Sequence, residues 1–380
     1  MATIEFISGK AKNVPYSYWE PNFWRCRVPG EALKEKGHNV IYLPYLIEPI
    51  TKDGEKMDDP PDIMVIHTLW DEPLKELKET HHGISMFKNK SDIVKAYKEL
   101  YGTRIIYDMD DNILALMNDN YVNMINVKAG NLEMLTEGQK QEIINYLDIA
   151  DAITATRDNY YNLLRQVEVK YNKRWSHKYH TLPNCLPNTL KKLMPSRDIS
   201  FSFDNGRVSG NGFVMAIGSL YILSELNDTN YLKDLETLSY DNNILQLGKN
   251  SDILNTKPSH IKTVNFNLDI LTYFGFLKSA AGNGNYNGMI RLLSANPYNK
   301  EFNAYKSPIK LLEAGITGMG LLIDDKASPD VYETDKLKDI LPVNINGNTY
   351  LWIPPKETSR LVDEFRIHKH LDKFIEVYLK

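Results

Sequence analysis

The chain predicts an α/β protein made of two Rossmann-like, doubly wound domains that face a central cleft. Three observations predict it. Short apolar runs alternate with helical patterns, a polar stretch with prolines over residues 183–212 interrupts the alternation, and the same rhythm then restarts. With 380 residues, 42% hydrophobic and 25% charged, the chain holds enough apolar mass for more than one core.

Taken in order, the first half offers strands at "TIEFIS", "NVIYLPY", "DIMVIHTLW", "RIIYDMDD", "ADAITAT" and "YHTLPN", with helices at "RVPGEALKEKG" and "SDIVKAYKELYG" among them. The second half offers strands at "GFVMAIGS", "NILQLGK", "IKTVNF", "GMIRLLSA" and "GLLIDD", with helices at "LDILTYFGFLKSA" and from residue 307 onward. The last residues, "RLVDEFRIHKHLDKFIEVYLK", read as one amphipathic helix. The boundaries are an acceptor-side domain over 1–190, a linker over 191–212, a second domain over 213–360 and the terminal helix over 361–380.

Formal net charge is -4, so no global positive field draws the molecule to nucleic acid or an anionic membrane. Any anion site is local. Cys26 and Cys185 stand far apart in no metal-ligand spacing, which suits a reducing compartment. No leader pattern and no apolar run long enough to span a bilayer are present, so the expectation is a cytoplasmic protein without a transmembrane segment. Abundant Asn, Lys, Ile and Tyr hint at an AT-rich, phage-like source and hence a host cytoplasm.

The segment "NAYKSPIKLLEAG" breaks a rule of helix chemistry. Ser307 is the expected N-cap and Pro308 the first helical residue, while Ile309, Leu312 and Ile316 recur with helical period. A helix start favours acidic side chains, yet Lys306 precedes this one and Lys310 lies in its first turn. A phosphate against the free N–H groups, flanked by both ammonium groups, would explain them. Glu313 shares their face and could accept hydrogen bonds from ribose hydroxyls. The plainer explanation is a solvated Lys310–Glu313 surface pair.

These residues carry a resemblance. "EFNAYKSPIKLLEAGITGMGLLIDD" is similar to the donor-binding segment of family-4-like retaining glycosyltransferases of the GT-B fold, with Asn303, Lys306, Ser307, Lys310, Glu313 and Gly318 on its motif. "RCRVPGEALKEKGHNV", "YDMDDNIL", "ADAITATRDNYYNLL", "LPNCLP" and "MAIGS" resemble further family segments in the same order. The resemblance implies transfer of a hexose or pentose from a nucleotide-diphosphate sugar to an acceptor hydroxyl with retention, and no required cofactor or metal. It implies that Glu313 holds the ribose and the helix from Ser307 holds the diphosphate, with Gly218 on the donor side. Two departures stand out: Tyr305 occupies a position where relatives have a second glutamate, and no basic residue follows the "IGS" turn before Lys233. Lys249 is the candidate to compensate for the latter.

Other candidates lie in the first half. The acidic end of "RIIYDMDD" fits a metal-binding D-x-D, a magnesium-dependent phosphatase using Asp108, or, by the resemblance, an acceptor-side loop in which Asp110 or Asp111 orients or deprotonates the acceptor hydroxyl; a strand-end cap is the plain alternative. His67 ends an apolar strand and is either catalytic or a packed structural histidine. Arg25 and Arg27 either meet phosphate or acceptor, or pair with surface acids. "GNGNYNG" lacks phosphate-loop spacing and reads as a turn. "KYNKRWSHKYH", residues 170–180, interleaves basic and aromatic side chains, which raises a hydroxymethylated base in DNA as acceptor beside a glycan or a small molecule; a basic loop is the alternative, as is a nucleotide-binding protein without catalysis.

Overall fold

The computed structural model describes residues 1–8, 22–50, 55–67, 87–109, 113–117, 135–188, 212–215, 229–247, 261–264, 270–282, 286–292, 307–326, 329 and 332–380. The chain divides into two compact units, one of residues 1–122, 133–188 and 367–380, the other of residues 123–132 and 189–366.

The first unit is a six-stranded, wholly parallel sheet. Its strands are β1 (Thr3–Ser8), β2 (Asn39–Leu43), β3 (Ile63–His67), β4 (Arg104–Met109), β5 (Ala152–Ala155) and β6 (Tyr179–Thr181). They lie in the order β2-β1-β3-β4-β5-β6, so winding reverses between β1 and β3. β3 is buried along its whole length, as a strand covered on both faces must be, which is why its sequence is an unbroken apolar run up to His67. Register places Ser8 beside His67, His67 beside Asp108, and Asp108 beside Thr154. Four polar residues thus form a row across four adjacent strands near their carboxyl ends.

The connecting helices follow the expected pattern. A π-helical turn, Phe23–Arg27, leads into α1 (Val28–Glu35), and α2 (Lys90–Tyr101) precedes β4. After the short α3 (Ile113–Leu116), α4 (Glu137–Ile149) starts on a capping box of Thr136 and Gln139, and α5 (Tyr160–Tyr171) follows β5.

The second unit repeats the plan with an addition. Parallel strands β7 (Gly212–Met215), β8 (Asn243–Leu247), β9 (Ile261–Val264), β10 (Gly288–Arg291) and β11 (Gly320–Asp324) are extended by an antiparallel hairpin, β12 (Leu341–Ile345) and β13 (Asn348–Ile353). The order is β12-β13-β11-β10-β7-β8-β9. Asn346 and Gly347 form the hairpin turn with φ of 51° and 84°, the paired positive angles that a two-residue turn between twisted strands requires. The helices are α6 (Thr229–Asp241), α7 (Ile270–Gly282), α8 (Ile309–Thr317) and α9 (Pro355–Glu364).

Two expectations change. The terminal amphipathic stretch is not one helix: α9 ends at Glu364 and α10 (Ile367–Leu379) starts anew, its Ile367 N–H donating to the Leu186 carbonyl at 2.8 Å. α10 belongs to the first unit, where Leu371, Phe374, Val377 and Tyr378 are buried and Arg104 reaches the Val377 carbonyl. The helix after residue 307 begins at Ile309, with Pro308 rather than Ser307 as N-cap. Pro308 at ψ 36° accepts from the N–H groups of Leu311 and Leu312 through its carbonyl.

Candidate functional site

In the second unit, chemistry gathers around the start of α8 and the carboxyl ends of β10 and β11. Gly315 lets α8 lie against α9, since a Cβ there would stand 2.4 Å from the Thr358 carbonyl oxygen. That contact fixes the helix whose first turns carry Lys310 and Glu313. Glu313 is fully buried. Its Oε1 accepts from Lys310 Nζ at 2.8 Å and its Oε2 from the Tyr273 hydroxyl of α7, also at 2.8 Å. The Lys310 ammonium sits 5.6 Å from the Tyr273 ring centroid, so one tyrosine supports both partners.

The strand ends supply the rest. Arg291 closes β10 and Asp324 closes β11, both buried, and the Lys326 N–H donates to Asp324 Oδ1 at 3.0 Å. Tyr332 ties the group together: burial pushes its phenol up to about 12, with Arg291 and Lys310 opposing and Asp324 and Glu313 adding to the shift. Arg291, Lys310, Asp324 and Glu313 thus all lie close enough to act on the Tyr332 hydroxyl. α8 has no acidic residue in its first turn and no side-chain cap; the shielded Ser307 Oγ has no hydrogen-bond partner. Among the described residues nothing acidic therefore meets the positive end of this helix dipole, the condition under which a helix start favours an anion.

Sequence reasoning missed Tyr273, Arg291, Asp324 and Tyr332. The signal for two of them was a charged residue closing an apolar run, "GMIR" and "GLLID", at the strand ends where open parallel sheets bind ligands. Lys310 and Glu313 do pair, but in a buried setting and not as the solvated surface pair.

In the first unit, Asp108 is the hub of the polar row. Arg25 grips it through Nε at 2.9 Å and through a second, shorter contact from Nη2. His67 Nδ1 lies 2.9 Å from Asp108 Oδ2, and the Thr154 hydroxyl donates to Oδ1 at 2.5 Å. Burial alone pushes the Asp108 carboxyl up, but the Arg25 charge and the bonds from Arg25 and His67 more than reverse this and hold it below the usual carboxylate range. An ionised Asp108 can only accept, which assigns the proton to His67 Nδ1 and, in the neutral ring, the lone pair to Nε2. Nε2 is buried and has no hydrogen-bond partner, as is true of Ser8 Oγ on the adjacent strand.

Arg25 is thereby corrected. Expected at phosphate or acceptor, it is 2% exposed and turned inward, its Nη1 donating to the Leu182 carbonyl at 2.6 Å. Arg27 takes the plainer alternative, pairing with Glu31 at 3.3 Å beside the Tyr42 ring. Asp108 keeps neither oxygen towards solvent, which a phosphatase nucleophile needs. Asp110, Asp111, Gly218, Lys249, Asn303 and Lys306 lie outside the described residues.

The basic–aromatic stretch takes its plainer alternative, a basic loop, at Lys173, Trp175 and Lys178. Trp175 is 1% exposed and donates through Nε1 to Asp148 at 2.7 Å, so its face is not available for stacking. Lys173 pairs with Asp148 at 2.6 Å, Lys170 donates to the Met117 carbonyl at 2.8 Å, and Lys178 donates to the Asp148 carbonyl at 3.1 Å. Glu168 accepts from the backbone N–H groups of Trp175 and Ser176. Lys173, Trp175 and Lys178 fasten this loop to the end of α4, and Lys170 ties α5 to the residue after α3.

No family model and no curated protein match the chain. Solved structures do. An α-glucosyltransferase in complex with UDP-glucose and DNA containing an abasic site aligns with a TM-score of 0.50 at 10% identity, over 99% of this chain and 93% of that one. A UDP-N-acetylglucosamine 2-epimerase from Listeria monocytogenes, described as putative, aligns with a TM-score of 0.46 at 12% identity, over 99% and 89% of the two chains. The first of these likenesses, with the strand orders above, defines an α/β protein of two parallel-rich sheets with flanking helices, the GT-B fold.

Proposed function

We propose that the protein is a glycosyltransferase that moves a sugar from a nucleotide-diphosphate donor to an acceptor hydroxyl. The observation that carries the proposal is the Glu313–Lys310–Tyr273 arrangement at an uncapped helix start beside two parallel-strand ends. Ribose hydroxyls bind Glu313, and the diphosphate binds the first N–H groups of α8 with Lys310. Lys306, Asn303 and Ser307 belong to the same donor site, as the resemblance of their segment implies. Because Oε1 is held by Lys310 without ligand, the nucleotide arrives by exchange: its hydroxyls take the carboxylate as the ammonium turns to phosphate.

The bond from the anomeric carbon to the phosphate oxygen breaks with its electron pair on the nucleoside diphosphate, and the acceptor oxygen forms the new bond, its proton passing to an acceptor-side carboxylate or to the departing phosphate oxygen. Negative charge grows on the leaving phosphate, so cations and N–H groups there act more strongly in the transition state than before it. On the acceptor side, Asp110 or Asp111 orients or deprotonates the acceptor hydroxyl, as the family resemblance implies, while His67, fully buried against Asp108, takes its packed structural alternative. Retention belongs to the same proposal, and the anomer of the product tests it. The acceptor is a hydroxyl of a glycan or a small molecule or, as the alternative reading, of a hydroxymethylated base in DNA; a gel-shift with hydroxymethylated duplex separates the last from the others, a complex favouring DNA.

The test is calorimetric binding of UDP, ADP, GDP and inorganic pyrophosphate to the full chain and to Glu313→Gln. The variant removes a negative charge and a ribose acceptor together. Nucleoside diphosphate affinity is expected to fall about 10-fold or more, while pyrophosphate binds as well or better. Parallel changes for both ligands would remove the ribose role, and a chain that binds no nucleoside diphosphate would remove the proposal.

A further inference from the structure

The geometry points to Tyr273 as the positioning residue of the donor site: its hydroxyl sets the Glu313 carboxylate for the two ribose hydroxyls and retains Oε2 throughout the exchange at Oε1. This rests on the donor-site proposal above and adds a residue outside the helix motif.

Glu313 has two oxygens and two described partners of different character. Lys310 is three residues away on the same helix, its side chain is 12% exposed, and it ends in a charge that a diphosphate attracts. Tyr273 comes from α7, is 2% exposed, and ends in a neutral donor with no comparable attraction to phosphate. When a nucleotide competes, the ammonium has somewhere better to go and the phenol does not. A fixed donor on Oε2 limits rotation of the carboxylate about its last torsion, and planar recognition of a vicinal diol needs that torsion fixed. The Tyr273 hydroxyl supplies the restraint, and the ring beneath Lys310 keeps the ammonium close to the helix start in the unliganded protein.

The predicted signature is loss of ribose discrimination without loss of diphosphate binding. Tyr273→Phe keeps the ring, the packing and the cation–π contact, and deletes only the hydroxyl. Calorimetry on the full chain would compare whichever of UDP, ADP or GDP binds best, its 2′,3′-dideoxy counterpart, and inorganic pyrophosphate. The expected result is about a 10-fold weaker complex with the ribonucleotide and changes within about twofold for the other two ligands. Combining Tyr273→Phe with Glu313→Gln is expected to add nothing to the loss from Glu313→Gln alone, because both act through one contact.

Equal weakening of all three ligands, or an undiminished ribonucleotide complex, would overturn the assignment of Tyr273 while leaving the donor site standing. Failure of the wild-type chain to bind any of the three nucleotides would overturn both.

Discussion

At the scale of single residues, the chain carries buried charge in two conditions, matched and unmatched. Asp108 is matched: its carboxylate is surrounded by Arg25, His67 and Thr154, and removing one partner leaves the rest exposed to the cost of burial. Arg25→Met is expected to cost about 3–5 kcal/mol of folding stability by urea denaturation, since it strands an ionised carboxylate in the sheet. Glu5 is unmatched. It sits in β1 between Ile41 and Met64, and no described residue forms an ion pair with it. Burial raises its pKa from 4.5 to about 7. The folded state therefore holds a proton that the unfolded chain has released between those values. Stability falls as pH rises from 4.5 through 7 and does not recover above; below 4.5 both states are protonated and the effect vanishes. Glu5→Gln is expected to abolish this slope and to be more stable than wild type at pH 8 by up to about 3 kcal/mol. A wild-type and variant difference that is flat from pH 5 to 8 would show that Glu5 is not desolvated.

At the scale of elements, periodicity was legible and partnership was not. The central strands of the first sheet, β1, β3, β4 and β5, lie in apolar runs that the sequence displays, because a strand buried on both faces has to be apolar, while the edge strands β2 and β6 are partly exposed. The β12–β13 hairpin went unread although "NG" at Asn346 and Gly347 is its turn signal; "LPVNI" is the sheet's edge strand and "NTYLWI" its neighbour, both mixed in polarity and without the long runs of the core. The break between α9 and α10 is invisible to a helical pattern because "EFRI" keeps the amphipathic spacing while the backbone turns to reach Leu186. The helix bearing Lys310 and Glu313 was legible from its residues, but their burial was not, since Tyr273 lies 40 positions away in sequence. Residues 170–180 left two alternatives open for the same reason: a lysine fastening a carbonyl and a lysine awaiting a phosphate are the same letter. A direct test of how the donor helix is placed is Gly315→Ala. The added methyl would meet the Thr358 carbonyl and Val362, and the expected cost is about 1–3 kcal/mol with weaker nucleotide binding, as α8 is pushed off α9. Retained stability and affinity would mean that the helix can slide without consequence.

At the scale of the whole molecule, two sheets with separate cores divide the labour proposed for them. The first unit holds the Asp108 network and closes with α10; the second holds the Glu313 cluster around a core that includes Met215, Ile244, Ile290 and Leu322. The chain divides into two compact units, and a chain so divided is expected to depart from a single two-state transition. Calorimetry should resolve two transitions. A ligand that binds one folded unit raises that unit's transition by RT ln(1 + [L]/Kd), about 2.7 kcal/mol at a hundredfold excess over Kd, and leaves the other where it was. Nucleoside diphosphate is expected to move only one transition. The identity of that transition follows from substitution: Gly315→Ala should lower the one the nucleotide raises, whereas Arg25→Met should lower the other. If the nucleotide instead raises the transition that Arg25→Met lowers, its binding energy is held in the first unit, and the donor site has been placed in the wrong half of the chain.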